Sequence, residues 1–193
     1  MRLPEIDRGD SFGRRLLIGF ISFVSRMRLP DAARVAFYHK EFSAPIGQWT
    51  QAAMRGPSDW SIGERELMAA LVAKWNSCPF CVSAHGAVAA KEIERPLIDK
   101  VLADYRTAPI PVRLKATLQF LEIMTLRPMG LTAEDAETAL SAGVSAQMLE
   151  DAAAVGATFN IITRYANALD FAMPSQDEFD RAAGMLLKRG YAS

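Results

Sequence analysis

The chain holds only two cysteines, and they form one C-x-x-C unit, Cys78-Pro79-Phe80-Cys81, with His85 four residues beyond the second. On a helix each residue advances about 100°, so with Cys78 at zero, Cys81 falls near about −60° and His85 near about −20°. All three then share one face. The start of a helix offers unpaired N–H groups and the positive end of its dipole, which favour a thiolate at Cys78. His85 stands at contact spacing from Cys81 and can take its proton. A thiolate that attacks a peroxide becomes a sulfenic acid and releases an alcohol, and a second thiol nearby then closes a disulfide. The leaving oxygen also needs a proton, so the constellation requires a donor or relay.

Glu66 is the candidate for that relay. Glu64 is taken up by the capping pattern Ser61-Ile62-Gly63-Glu64, whereas Glu66 shares its helix face with Ala69, Ala70 and Ala73, a small-residue stripe that admits a close neighbour. Burial there is expected to raise its pKa toward neutrality. Other uses of these residues compete. Zinc needs four ligands, and with His85 reserved for Cys81, the two cysteines and the only other histidine, His39, leave the set one short. A c-type haem needs histidine directly after the second cysteine, where Val82 stands. Glu66 also fits an ordinary ion pair, and Phe80, Trp60, Trp75 and the methionines fit packing. The cluster Phe159, Asn160, Arg164 and Tyr165 fits either the wall of the site or the anchoring of a long helix.

The elements that must position these groups are all helical, because apolar residues recur at helical spacing and no stretch alternates like a strand. Expected helices run over Phe12 to Ser25, Ala32 to Tyr38 with Asp31 as cap, Pro45 to Met54, and from the Ser61 cap to about Trp75. Pro79 suits the first turn of a helix reaching about Glu94, so the dithiol opens that helix. Further helices are expected over Pro96 to Tyr105, Val112 to Leu126, from Thr132 to before Gly143, from the Ser145 cap to about Phe171, and over Gln176 to Lys188. Arg189 to Ser193 is expected to fray. The whole is read as one domain over 1–193, with an N-terminal helical extension of about 1–57 and a motif core of about 58–171.

At 193 residues with 50% apolar and 23% charged side chains, the composition is that of a folded globular chain. Lys plus Arg and Asp plus Glu balance at 22 each, which gives nucleic acid or anionic lipid no global field to follow. The apolar run Leu16 to Val24 is too short to span a bilayer, and Arg26 and Arg28 follow it where a cleavage site would sit. A soluble, cytoplasmic protein with no nucleic-acid or membrane partner is expected, and the sparse cysteine usage suits that compartment.

The run from Gly63-Glu64-Arg65-Glu66-Leu67 through Trp75-Asn76-Ser77-Cys78-Pro79-Phe80-Cys81-Val82-Ser83-Ala84-His85 resembles the alkylhydroperoxidase D-like and carboxymuconolactone decarboxylase-like superfamily. The stretches Leu149 to Leu169 and, more weakly, Phe23 to Met54 resemble its peroxidase-related branch. The resemblance implies an all-α helical bundle, a homo-oligomer (dimer, trimer or hexamer), no organic cofactor and no metal. It implies a thiol-dependent peroxidase that reduces organic hydroperoxides or hydrogen peroxide, with Glu66, Cys78, Cys81 and His85 as its site and an unidentified thiol as reductant. By this resemblance Cys81 attacks and Cys78 resolves, while helix-dipole reasoning favours Cys78 as the more acidic thiol. The archetype carries a second histidine between its cysteines, where this chain has Phe80. That departure keeps open a dithiol oxidoreductase or redox sensor without peroxidase action. A lactone-processing relative is a further alternative, against which the retained dithiol speaks.

Overall fold

In the computed structural model, which describes residues 1–38 and 40–191, the elements are helices and no strand occurs among the described residues. In chain order these are α1 (Pro4–Arg8), α2 (Phe12–Ser25), α3 (Asp31–Tyr38), α4 (Lys40–Arg55), α5 (Ile62–Trp75), α6 (Pro79–Ala89), α7 (Arg95–Asp104), α8 (Val112–Leu126), α9 (Ala133–Ser141), α10 (Ala146–Leu169) and α11 (Gln176–Arg189), with a short 3₁₀ turn at Pro128–Gly130. The all-α expectation holds. Ser61, Thr132, Ser145 and Ser175 cap their helices through their hydroxyls, and three of those caps close the reciprocal capping box with Glu64, Asp135 and Glu178.

The centre is the hairpin of α5 and α6, joined only by Asn76, Ser77 and Cys78 and therefore antiparallel. Arg65 to Ala73 is buried without interruption, so α5 is surrounded rather than amphipathic. Helices α8 and α10 pack on α5, α11 packs on α6, and α4 packs on α10. At Gly156 of α10 an added Cβ would lie 2.9 Å from Leu121 of α8, so glycine sets how closely those two helices approach.

Several expected boundaries shift for local reasons. Helix α6 stops at Ala89 rather than near Glu94, because Lys91 and Glu92 make tight i→i−3 bonds to Val88 and Ala89. The Glu92 carboxylate instead accepts a 2.7 Å bond from the Gly63 amide at the start of α5. Helix α4 begins at Lys40, which places Pro45 inside it at the loss of one backbone bond near the helix start. Asp31 is not a cap. It is wholly buried and accepts the Ala172 amide at 2.7 Å and an Arg28 guanidinium bond at 2.6 Å, tying α3 to the segment after α10. Asp170 in the left-handed region ends α10 before Phe171. The expected fraying of the C-terminus fails at Tyr191, whose backbone N–H donates to Gln51 at 2.7 Å; Ala192 and Ser193 lie outside the described residues.

Candidate functional site

Cys78 is the N-cap of α6, with Pro79 at the first helical position and Cys81 at the third. This is the spacing at which a capping side chain meets the first turn, so the two sulfurs are neighbours even though Cys78 lies outside helical geometry. Both thiols are free and buried, at 1% and 2% exposure. The Cys81 thiol donates a hydrogen bond to the Cys78 sulfur. That bond pulls the Cys78 pKa down to about 7 against the opposing effect of burial, and the Cys81 amide helps without completing a capping bond. Cys81 is pushed strongly up, first because it is the donor to Cys78, then by burial and by the neighbouring charge. The resting charge therefore belongs to Cys78, in line with the helix-end argument.

The turn before the dithiol is held from α10. Ser77 adopts a positive φ of 53°, and the Cys78 amide donates to the Ala73 carbonyl at 2.9 Å. The Asn76 side chain donates to Asn160 at 3.0 Å, and Asn167 donates to the Asn76 carbonyl at 2.9 Å. Asn160 in turn donates to Thr125 of α8 and accepts from Arg164. The Phe159–Tyr165 cluster thus divides: Asn160 and Arg164 brace helices, while Phe159 and Tyr165 reach the site.

His85 and Glu66 meet across the α5–α6 hairpin with Nδ1 and Oε2 2.6 Å apart. Glu66 is wholly buried. Its other oxygen accepts the Arg55 guanidinium at 2.7 Å and the Tyr191 hydroxyl at 2.8 Å. Burial alone would raise the Glu66 pKa, as expected from the sequence. That expectation is overturned: hydrogen bonding and charge from His85, then Arg55 and Tyr191, outweigh burial and hold the carboxyl below its ordinary range. An ionised Glu66 has no proton to donate, so Nδ1 of His85 must be the donor, and in the neutral ring Nε2 is the free base. Phe159 packs edge-on against the imidazole at 4.3 Å between ring centroids.

A cavity of about 470 Å³ opens beside this cluster. Its wall includes Cys81, His85 and Tyr191, surrounded mainly by aliphatic and aromatic groups such as Ile46, Phe159 and Ile162; Cys78 and Glu66 are not on it. Phe80, between the cysteines, lines the cavity and packs edge-on against Phe171 and Phe179 at 5.3 and 5.7 Å. No group of three or more potential metal ligands gathers among the described residues. His39, weighed as a zinc ligand, lies outside them. No helix among the described residues is long and apolar enough to cross a membrane.

All four residues expected from the sequence therefore come together, as a sulfur pair and a carboxylate–imidazole pair. Arg55 and Tyr191 were not anticipated. Each is far from the motif in sequence, and neither carries a local pattern that would connect it to Glu66. Together these features define an all-helical protein with a buried helix-terminal dithiol next to a hydrogen-bonded Glu–His pair.

No family model and no curated protein matches the sequence. Solved structures do match. An uncharacterized peroxidase-related protein from Silicibacter sp. TM1040 superposes with a TM-score of 0.74 at 25% identity over 91% of each chain. The alkylhydroperoxidase AhpD core of an uncharacterized peroxidase-related protein from Ralstonia eutropha JMP134 superposes with a TM-score of 0.72 at 25% identity over 88% of each chain. The chain belongs to the alkylhydroperoxidase D-like superfamily.

Proposed function

We propose that the chain is a thiol-dependent peroxidase that reduces organic hydroperoxides through a Cys78–Cys81 disulfide cycle. The observation that carries this reading is that Cys81 and His85 share the wall of an apolar cavity while Glu66 backs the imidazole. About 470 Å³ accommodates an organic hydroperoxide and is far more room than hydrogen peroxide needs. Charge rests on Cys78, but the substrate meets Cys81. A proton shift along the S–H···S bond moves the charge to Cys81, which attacks the outer peroxide oxygen. The O–O bond breaks, Cys81 becomes a sulfenic acid, and the alkoxide takes a proton from the Cys78 thiol to leave as the alcohol. The Cys78 thiolate then attacks the Cys81 sulfur, and the hydroxide expelled takes a proton delivered through His85 to leave as water. A thiol reductant returns the disulfide to the dithiol.

Exposure of wild type, Cys78→Ser and Cys81→Ser to cumene hydroperoxide, with thiol counting and mass spectrometry, tests the cycle. Loss of both thiols in wild type and a sulfenic acid trapped on Cys81 in Cys78→Ser support it. Oxidation trapped on Cys78 instead reverses the roles, and thiols that survive peroxide but exchange with disulfides favour the second reading, a dithiol oxidoreductase, which Phe80 in place of histidine supports.

The proposal extends to assembly as a homo-oligomer. Phe12, Phe20 and Phe23 of α2 are 77%, 65% and 82% exposed on one helix face together with Leu16 and Val24, an apolar surface that a second copy would cover.

A further inference from the structure

Beyond the motif, the end of the chain is built into the site. Gly47, Gln51 and Arg55 follow one another at four-residue steps along α4, so they form one stripe. Gly190 and Tyr191 lie along it. The Tyr191 carbonyl sits 3.3 Å from where a Cβ on Gly47 would be, tighter than an ordinary contact, so glycine there gives the carbonyl room. Gln51 accepts the Tyr191 amide at 2.7 Å, and Arg55 lies over the Tyr191 ring at 4.9 Å. Gly190 has a φ of 71°, and a Cβ on it would collide with the Gln51 amide. At the end of this seat the Tyr191 hydroxyl donates to Glu66 Oε1 at 2.8 Å. It also lies 3.4 Å from His85 Nδ1, whose own proton is committed to Glu66.

We infer that Tyr191 is a positioning residue of the dithiol site: seated by Gly47, Gln51 and Arg55, its hydroxyl fixes the Glu66 carboxylate so that Oε2 holds the His85 Nδ1 proton and Nε2 stays the free base. The inference rests on the proposed peroxidase reading for its consequence but on the seat itself for its geometry. The ring retains some surface while the hydroxyl is enclosed, so the bond to Glu66 is made away from solvent, where hydrogen bonds to charge count most. With two donors on Oε1, the carboxylate has one rotation about its axis left to satisfy, and that rotation points Oε2 at His85. Without the hydroxyl, Arg55 alone holds Oε1 and the carboxylate is free to rock.

Tyr191→Phe keeps the ring and the Arg55 contact and removes only the hydroxyl. Two readouts need no peroxide: the tautomer of His85 from side-chain ¹⁵N shifts, and the rate of iodoacetamide alkylation at Cys81 resolved by mass spectrometry. In wild type the Nδ1–H form is expected alone. In Tyr191→Phe a mixture of tautomers is expected, with alkylation at Cys81 slowed about tenfold, the size of one lost hydrogen bond to a charged group. Gly190→Ala, which disturbs the seat at Gln51 while keeping the Tyr191 hydroxyl, is expected to reproduce both changes. With cumene hydroperoxide, kcat falls and KM holds. Wild-type tautomer and alkylation in both variants overturn the inference, as does a rise in KM alone, which would leave Tyr191 as mere cavity wall. If wild type consumes no peroxide yet the tautomer and alkylation changes appear, the positioning role stands and the peroxidase reading falls.

Discussion

The Cys81 thiol donates to the Cys78 sulfur, so one proton is held between the two and the charge settles on the sulfur that does not reach the cavity. Cys78 is brought to about 7 from 9.0, first of all by that donor. Thiolate absorbance is therefore expected to rise with a midpoint near pH 7 in wild type. Cys81→Ala removes the donor, and the midpoint is expected to move up toward the ordinary thiol value. An unmoved midpoint would place the stabilisation elsewhere.

Glu66→Gln tests the charged state of the carboxylate. A carboxyl with a lowered folded pKa contributes stability that is present above its unfolded pKa and lost as pH falls through the folded one. Replacing it leaves the Arg55 guanidinium buried without its counter-charge, at a cost of about 3–5 kcal/mol near neutrality. Urea unfolding is expected to show that gap at pH 7 and its narrowing in acid. A gap that widens on acidification would mean Glu66 is neutral in the folded chain.

The apolar face of α2 makes the assembly testable without reference to activity. Phe20→Glu with Phe23→Glu is expected to shift light-scattering mass to the single chain, because each carboxylate would be desolvated in a pair of copies. Wild type that is already a single chain would remove the homo-oligomer proposal.

Much of this site can be read in the sequence because it is local. Cys78, Cys81 and His85 lie within about two turns at the start of α6, Ser61 with Glu64 announces α5, and Pro79 announces α6. What could not be read is long-range. Arg55 and Tyr191 meet Glu66 only because α4 and the chain end converge on α5, and no periodicity encodes that meeting. The lowered pKa of Glu66 runs against expectation for the same reason: its burial is foreseeable from the alanine stripe, but the groups that outweigh burial, His85 first and then Arg55 and Tyr191, reach it only through the packing of other elements on α5. The helix ends that moved, at Ala89 and Lys40, were decided by Glu92 reaching Gly63 and by a proline accommodated inside α4.

Phe80 gives the remaining prediction. It is 7% exposed and joins Phe171 and Phe179 in an edge-on cluster that ties α6 to α11 and to the segment after α10. Edge-on pairs gain beyond their area, and a polar ring in their midst lacks partners. Phe80→His, which would place the archetype's histidine between the cysteines, is therefore expected to lower stability by about 2–4 kcal/mol. It is also expected to loosen α11, and with it the Tyr191 seat, so that alkylation at Cys81 slows rather than quickens. Faster peroxide turnover in a variant of unchanged stability would show that this aromatic cluster has room for an imidazole and that Phe80 limits the chemistry.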